Sequence, residues 1–185
     1  MSEFSNRYDR TADESGQYVK DLLDLLGDRD PLAVLAELLP PLAAVSAALP
    51  EELLRRPERP GKWSIVQVIA HLADSDLVTG YRLRMVIAHP GTPILGYDQD
   101  RWAQELRYAE APLAETLDQL GALRRANLRL LRSLDDERLD RAGMHAERGR
   151  ESVRQLMRLM AGHDLVHRRQ IERIRRAVTQ GEQEQ

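Results

Sequence analysis

The stretch from Ser152 to Val178, SVRQLMRLMAGHDLVHRRQIERIRRAV, is the feature that most constrains the fold. Ser152 and Gln155 have the S-x-x-Q spacing of a capping box, which satisfies two otherwise free backbone donors at a helix start. Val153, Leu156, Met160, Ile171, Ile174 and Val178 recur every three or four residues, the spacing of one buried helix face. Two positions that continue this stripe are His163 and His167. Imidazoles in the middle of a buried face need partners, because an unsatisfied buried polar group costs ~1–3 kcal/mol. Histidines at i and i+4 lie about one turn apart on one face, so both can reach a single metal ion. Helical histidine pairs are more often solvated or hydrogen-bonded, so a metal reading needs a third ligand on another buried face.

The 185 residues suffice for one domain with a real core, and 42% hydrophobic with 31% charged residues is a globular balance. The net charge of −3 does not point to nucleic acid, although arginine far outnumbers the two lysines, Lys20 and Lys62. There is no cysteine, which excludes disulfides, thiol nucleophiles and thiolate metal sites. The polar N-terminus does not read as a signal peptide, and no apolar run approaches the ~18 residues of a membrane span. The expectation is a cytoplasmic protein with no membrane partner.

Residues 1–13 and 180–185 read as flexible ends around a single helical domain at 14–179. A first helix fits Glu14 to Leu26 and stops at Gly27. Asp30-Pro31 reads as an N-cap and first-turn proline, and Pro40-Pro41 must break the helix that follows. Ser64 and Gln67 form a second capping box, starting a helix that runs to about His89. Its inner face is expected to hold Ile65, Val68, Ile69, Leu72, Val78 and Met85, with His71 on the edge of that face and Asp74 one turn on. Residues 90–111 form a long connection carrying Tyr97, Asp98, Asp100, Trp102 and Tyr108 in a chain that is only 4% aromatic. A connection of this length is often a lid or binding loop. A third long helix begins near Pro112. Arg125, Arg129 and Arg132 read as its solvated face. No segment reads as a strand.

Four amphipathic helices suggest a four-helix bundle, a fold that often builds metal sites from inward side chains. His71 on one helix and His163 with His167 on another would supply three imidazoles and leave a coordination position open, the pattern of a catalytic site. Such a donor set suits zinc, nickel, copper or iron. Asp74 and Asp164 are candidates for orienting the ligands, although Asp164 reads better as a solvated residue.

The ordered set Trp63-Ser64, His71-Leu-Ala-Asp74-Ser-Asp76, Asp98-Gln-Asp100-Arg-Trp102, His145, Gly149 and His163-Asp-Leu-Val-His167-Arg-Arg-Gln170-Ile171 resembles the DinB-like (damage-inducible, YfiT-like) superfamily, from about residue 15 to 177. The resemblance implies an all-α four-helix bundle of DinB/YfiT-like type, with the long connection between its second and third bundle helices. It implies His71, His163 and His167 as ligands of a divalent ion, zinc or nickel ahead of iron or copper. That family is similar in fold to thiol-dependent S-transferases and a mycothiol-dependent isomerase, and many members are known only by the description metal-dependent hydrolase. Relatives commonly carry Glu where this chain has Asp76.

The leading expectation is therefore a metal-dependent hydrolase or thiol-dependent S-transferase acting on a small molecule, with a low-molecular-weight thiol as a possible cosubstrate. The alternative is a metal-binding stress-response protein without catalysis. His145 and Asp74 are the candidate catalytic groups. Asp98, Trp102 and Arg148 are candidates for the substrate pocket, and Arg148 or Arg124 could hold an anion. A homodimer is expected from apolar positions such as Leu42, Val45 and Leu49, which read as surplus to one core. Nucleic-acid binding is not expected, since acids interrupt the basic surface.

Overall fold

The computed structural model describes residues 12–180, and the expectations for residues 1–11 and 181–185 lie outside that range. Helix α1 (Ala12–Leu26) ends at Gly27, whose φ of 59° and N–H bond to the Leu23 carbonyl close the last turn. Asp30 caps α2 (Pro31–Ala36) by accepting from the Leu32 amide. Pro40 and Pro41 fall in the first turn of α3 (Leu39–Ala48), where a missing N–H costs nothing. The most apolar stretch of the chain is thereby split into helices of 6 and 10 residues, each too short to cross a membrane. A short α4 (Glu51–Arg55) precedes the proline-rich loop. Helix α5 (Ile65–Ala88) starts at Ser64 with both arms of the capping box formed, as its sequence demands.

The connection that follows contains β1 (Pro93–Ile94), α6 (Gln99–Glu105) and a 3-10 turn at Tyr108–Glu110. Then come α7 (Leu113–Arg132), α8 (Asp136–Leu139), β2 (Ala142–His145), β3 (Gly149–Ser152) and α9 (Val153–Gln180). The expectation of no strands is overturned: β1 pairs parallel to β2, and β2 pairs antiparallel to β3. Strands of two to four residues with mixed composition show no alternation. The turn lacks a two-residue hairpin signal because its loop has three residues and closes at Gly149, with φ of 74°. Ser152 ends β3 and also caps α9, its hydroxyl accepting from the Gln155 amide.

The long helices form a four-helix bundle. Helix α9 packs against α1 and α5, and α5 packs against α7. Helix α2 lies across α9 and α7. Gly162 lets α1 approach α9, since a Cβ there would overlap the Leu22 carbonyl. Two further expectations are corrected. Val78 and Met85 are only half-buried, and the inner face of α5 instead passes through Ile69, Ala73, Asp76, Gly80 and Leu83. Leu42 and Val45 are buried and Leu49 packs on the same core, so these positions belong to the core rather than being surplus to it.

Candidate metal centre

The apolar core is in two main parts, and the candidate site lies between them. One part gathers Leu72, Ala73, Leu120, Ile171 and Ile174, among others. The other gathers Leu83, Val86, Leu128, Leu156 and Met160. On α5, α7 and α9 the residues between these sets are polar and buried: His71 and Asp76, Arg124 and Asn127, Asp164, His167 and Gln170. A polar layer therefore crosses the waist of the bundle.

The three expected ligands meet in this layer. His163 Nε2 lies 3.0 Å from His71 Nε2 and 3.1 Å from His167 Nε2. The three ligand atoms lie within 4.8 Å of one another. Two nitrogens on a tetrahedral ion at ~2.0–2.1 Å sit about 3.3 Å apart, so the cluster has the dimensions of a ligand set. Proton counting points the same way. His167 Nδ1 lies 2.7 Å from Gln170 Oε1, an acceptor, so Nδ1 carries the proton and Nε2 presents a lone pair. One proton shared along the remaining Nε2 contacts leaves a nitrogen lone pair facing another nitrogen, which a cation relieves. Burial lowers the proton affinity of all three rings: His71 and His163 well below the ordinary range, His167 to about 4. Neutral imidazoles are the form that binds metal. Trp63 packs its ring 5.2 Å from that of His71 and walls that side.

One expectation about a charged group is corrected here. Asp164 is not solvated but 1% exposed, and Arg124, a candidate for holding an anion, is 2% exposed beside it. Arg124 donates to both carboxylates of the layer. Its Nε lies 3.1 Å from each Asp76 oxygen, its Nη2 3.0 Å from Asp164 Oδ1, and its Nη1 also pairs with Asp164 Oδ2. Nη1 also donates to the Leu35 carbonyl, satisfying an acceptor at the end of α2. Asn127 donates to Asp76, and Gly80 makes room for it, since a Cβ there would lie 2.5 Å from Asn127 Oδ1. Burial raises both carboxyl groups, Asp164 to about 6, and Arg124 opposes the rise. The aspartate beside His163 therefore locks helices together rather than contacting the imidazoles.

A narrow cavity of about 60 Å³ runs from His163 between α1, α5 and α9. Ser75, Thr79 and Arg82 of α5, Leu156, Leu159 and Met160 of α9, and Arg148 of the hairpin loop are among its walls. The 90–111 connection folds back along α5 to reach it. Tyr108 donates to Asp74 at 2.6 Å, and Tyr97 and Gln99 line the cavity. Among the expected pocket residues, Arg148 lines the cavity and pairs with buried Glu151. Asp98 caps α6 by accepting from the Asp100 and Arg101 amides. Trp102 stacks on Tyr97 at 4.6 Å. His145 is buried in β2, its Nδ1 accepting from the Glu147 amide, which places the proton on Nε2. Burial, with help from Arg148, lowers its proton affinity to about 4. Arg82 and Gln99 were not among the expected site residues, although Arg82 stands in helical register with His71, Ser75 and Thr79.

Comparisons with known proteins agree with this geometry. A protein of Oceanobacillus iheyensis named "Putative metal-dependent hydrolase" is 33% identical over 119 residues, 64% of this chain and 69% of that protein. A protein of Bacillus cereus with the same name is 29% identical over 128 residues, 69% of this chain and 73% of its own length. YfiT from Bacillus subtilis, described as a probable metal-dependent hydrolase with an unusual four-helix bundle topology, superposes with a TM-score of 0.74 at 25% identity. That superposition covers 79% of this chain and 84% of YfiT. Residues 37–171 match the DinB superfamily, and with three histidines converging inside a bundle of this architecture, the chain belongs to that family.

Proposed function

We propose that the chain holds one divalent metal ion on His71, His163 and His167 and acts as a metal-dependent hydrolase on a small molecule. The observation that carries this reading is the convergence of three neutral Nε2 atoms at 3.0 and 3.1 Å, those of buried His71 and His167 and of half-buried His163, which lines a cavity. When bound, the ion supplies Lewis-acid activation of a substrate oxygen or a water. The protein's own groups do the rest. Gln170 fixes the His167 ring by accepting its Nδ1 proton. Asp74 holds Tyr108 and with it the connection over the site. Burial and the neighbouring Asp74 raise the proton affinity of the Tyr108 phenol, so it stays a donor. Leu156, Leu159 and Met160 give the cavity an apolar wall.

Elemental analysis of the purified chain and of His163→Ala tests the ligand set. One zinc, nickel, iron or copper ion per chain is expected in the parent and less than a tenth of that in the variant; full stoichiometry in the variant refutes it. Turnover of an ester panel with and without added thiol tests the reaction. Ester cleavage by the parent without thiol supports hydrolysis, and turnover seen only with thiol replaces it with S-transfer.

A further inference from the structure

We propose that the part of the cavity away from the histidines is a carboxylate subsite, built by Arg82 and Gln99, that holds an acid group on the substrate's distal end. The proposal deepens the hydrolase reading and rests on it for what lies at the other end of the cavity.

Two donors there lack acceptors. Gln99 is 1% exposed, and its side-chain nitrogen has no hydrogen-bond partner. The Nε of Arg82 is likewise buried and unpartnered. The remainder of that guanidinium donates to the Leu95 carbonyl and lies 5.9 Å from the centre of the Tyr97 ring. Both side chains line the same cavity. An unsatisfied buried donor costs ~1–3 kcal/mol, so a pair facing one space is expected to have an occupant that accepts from both.

Charge defines that occupant. Among the described residues Arg82 forms no ion pair. Arg148 lines the same cavity, but Glu151 balances it. Burial, and then Arg148, lower the proton affinity of Arg82, and Tyr97 and the more distant Glu151 only partly oppose the fall. A water would satisfy the donors but bring no negative charge to a guanidinium that forms no ion pair of its own. A carboxylate does both, accepting from guanidinium and amide in the short, charge-assisted bonds such groups form.

Position gives the shape of the ligand. Arg82 follows His71 by eleven residues on α5, about 16 Å along the axis at 1.5 Å per residue. Long helical side chains lean toward the N-terminus, so the guanidinium reaches back toward the histidines and shortens that distance to the order of 10 Å. The walls between are Ser75, Thr79, Leu156, Leu159 and Met160. A cavity of about 60 Å³ admits only a slender molecule, so the substrate class is a small carboxylic acid with its carboxylate at Arg82 and its reacting bond toward the histidines.

Benzoate and its uncharged analogue methyl benzoate probe the subsite by calorimetric titration and protein NMR. Four proteins are compared: the parent with its metal, His163→Ala, Arg82→Gln and Gln99→Leu. Benzoate is expected to bind the parent saturably in the millimolar range, and methyl benzoate about tenfold more weakly or worse. Arg82→Gln should weaken benzoate at least about tenfold, the loss typical of one charge-assisted bond, with metal content unchanged. Gln99→Leu should weaken benzoate severalfold while melting at or above the parent temperature, because it removes an orphan donor. That pairing of signs separates a binding role from a structural one. Benzoate should bind His163→Ala as it binds the parent. No saturable binding to the parent, equal affinity in Arg82→Gln and Gln99→Leu, or loss of benzoate binding only in His163→Ala would each overturn the subsite. The metal reading is judged separately, by the metal content of His163→Ala.

Discussion

Replacing Arg124 by Met tests whether the buried ion cluster holds the bundle's waist together. The substitution keeps most of the volume of the side chain and removes its charge, leaving Asp76 and Asp164 facing each other at 1% exposure. Two carboxylates cannot stay ionised there, so the folded variant must take up at least one proton. From an ordinary carboxyl pKa near 3.9, protonation at pH 7 costs about 3 units at 1.36 kcal/mol each, or about 4 kcal/mol. That agrees with the ~3–5 kcal/mol typical of breaking a buried pair by removing one partner. It is a large share of the ~5–15 kcal/mol that keeps a domain folded, and corresponds to a melting temperature lower by roughly 8–16 °C. The same reasoning fixes the pH dependence. The folded variant binds more protons than its unfolded chain between about pH 4 and 7, whereas the parent does so only below about 6, where Asp164 protonates, so the deficit shrinks as pH falls, to about 3 kcal/mol at pH 5. Urea unfolding of parent and variant at pH 7 and pH 5 measures both quantities. A deficit below about 1 kcal/mol at pH 7, or one that does not shrink at pH 5, would refute the reasoning.

Other outcomes follow from single features of the fold. His145 titrates near 4 when folded and near 6.5 when unfolded, so the unfolded chain binds the extra proton and stability falls as pH drops through that window. His145→Gln should remove up to about 3 kcal/mol of that fall, read as a flatter plot of unfolding free energy against pH from 7 to 4. Gly162→Ala drives a Cβ into the Leu22 carbonyl, so α1 must move off α9. A loss of ~1–3 kcal/mol is expected in denaturant unfolding, and an unchanged midpoint would contradict that packing. Asp98→Ala removes the cap of α6 and should cost about 1 kcal/mol with metal stoichiometry unchanged; lost metal would tie Asp98 to the site instead.

What was legible in the sequence was what repeats within one helix. The capping box at Ser64, the N-cap at Ser152 (one arm of the box expected there), the stripe through Leu156 and Ile174, and the i, i+4 histidines each need only local spacing, and they appear where that spacing puts them. The ion cluster needed information the local pattern hides. Arg124 pairs with residues 48 and 40 positions away, and a lone arginine reads as solvated by default. A signal did exist. On α7 the core positions Leu117, Leu120, Arg124, Asn127 and Leu131 keep helical period, so Arg124 and Asn127 stand at inward positions. Asp76 interrupts α5 in the same way between Ala73 and Leu83. With Asp164 on α9, these polar breaks on three helices are the mark of a buried layer. The strands left no such mark, because two-to-four-residue strands are set by tertiary packing rather than by alternation.

The polar layer also explains how a metal-binding arrangement can persist in a folded chain before any ion arrives. Three imidazoles brought nitrogen to nitrogen would repel if protonated, and burial keeps them neutral down to about pH 4 for His167. Apolar residues on both sides, Leu72 and Ile171 in one part of the core and Leu83 and Met160 in the other, exclude the water that would otherwise pull the rings apart. Arg124 supplies the lateral restraint, since one guanidinium bonded to α2, α5 and α9 fixes the helices that carry His71 and His163. The site is therefore held by groups that do not touch the ligand atoms. The same arrangement leaves His163 on the wall of the cavity that Arg82 also lines, so the features that hold the ligands also keep one of them open to that space.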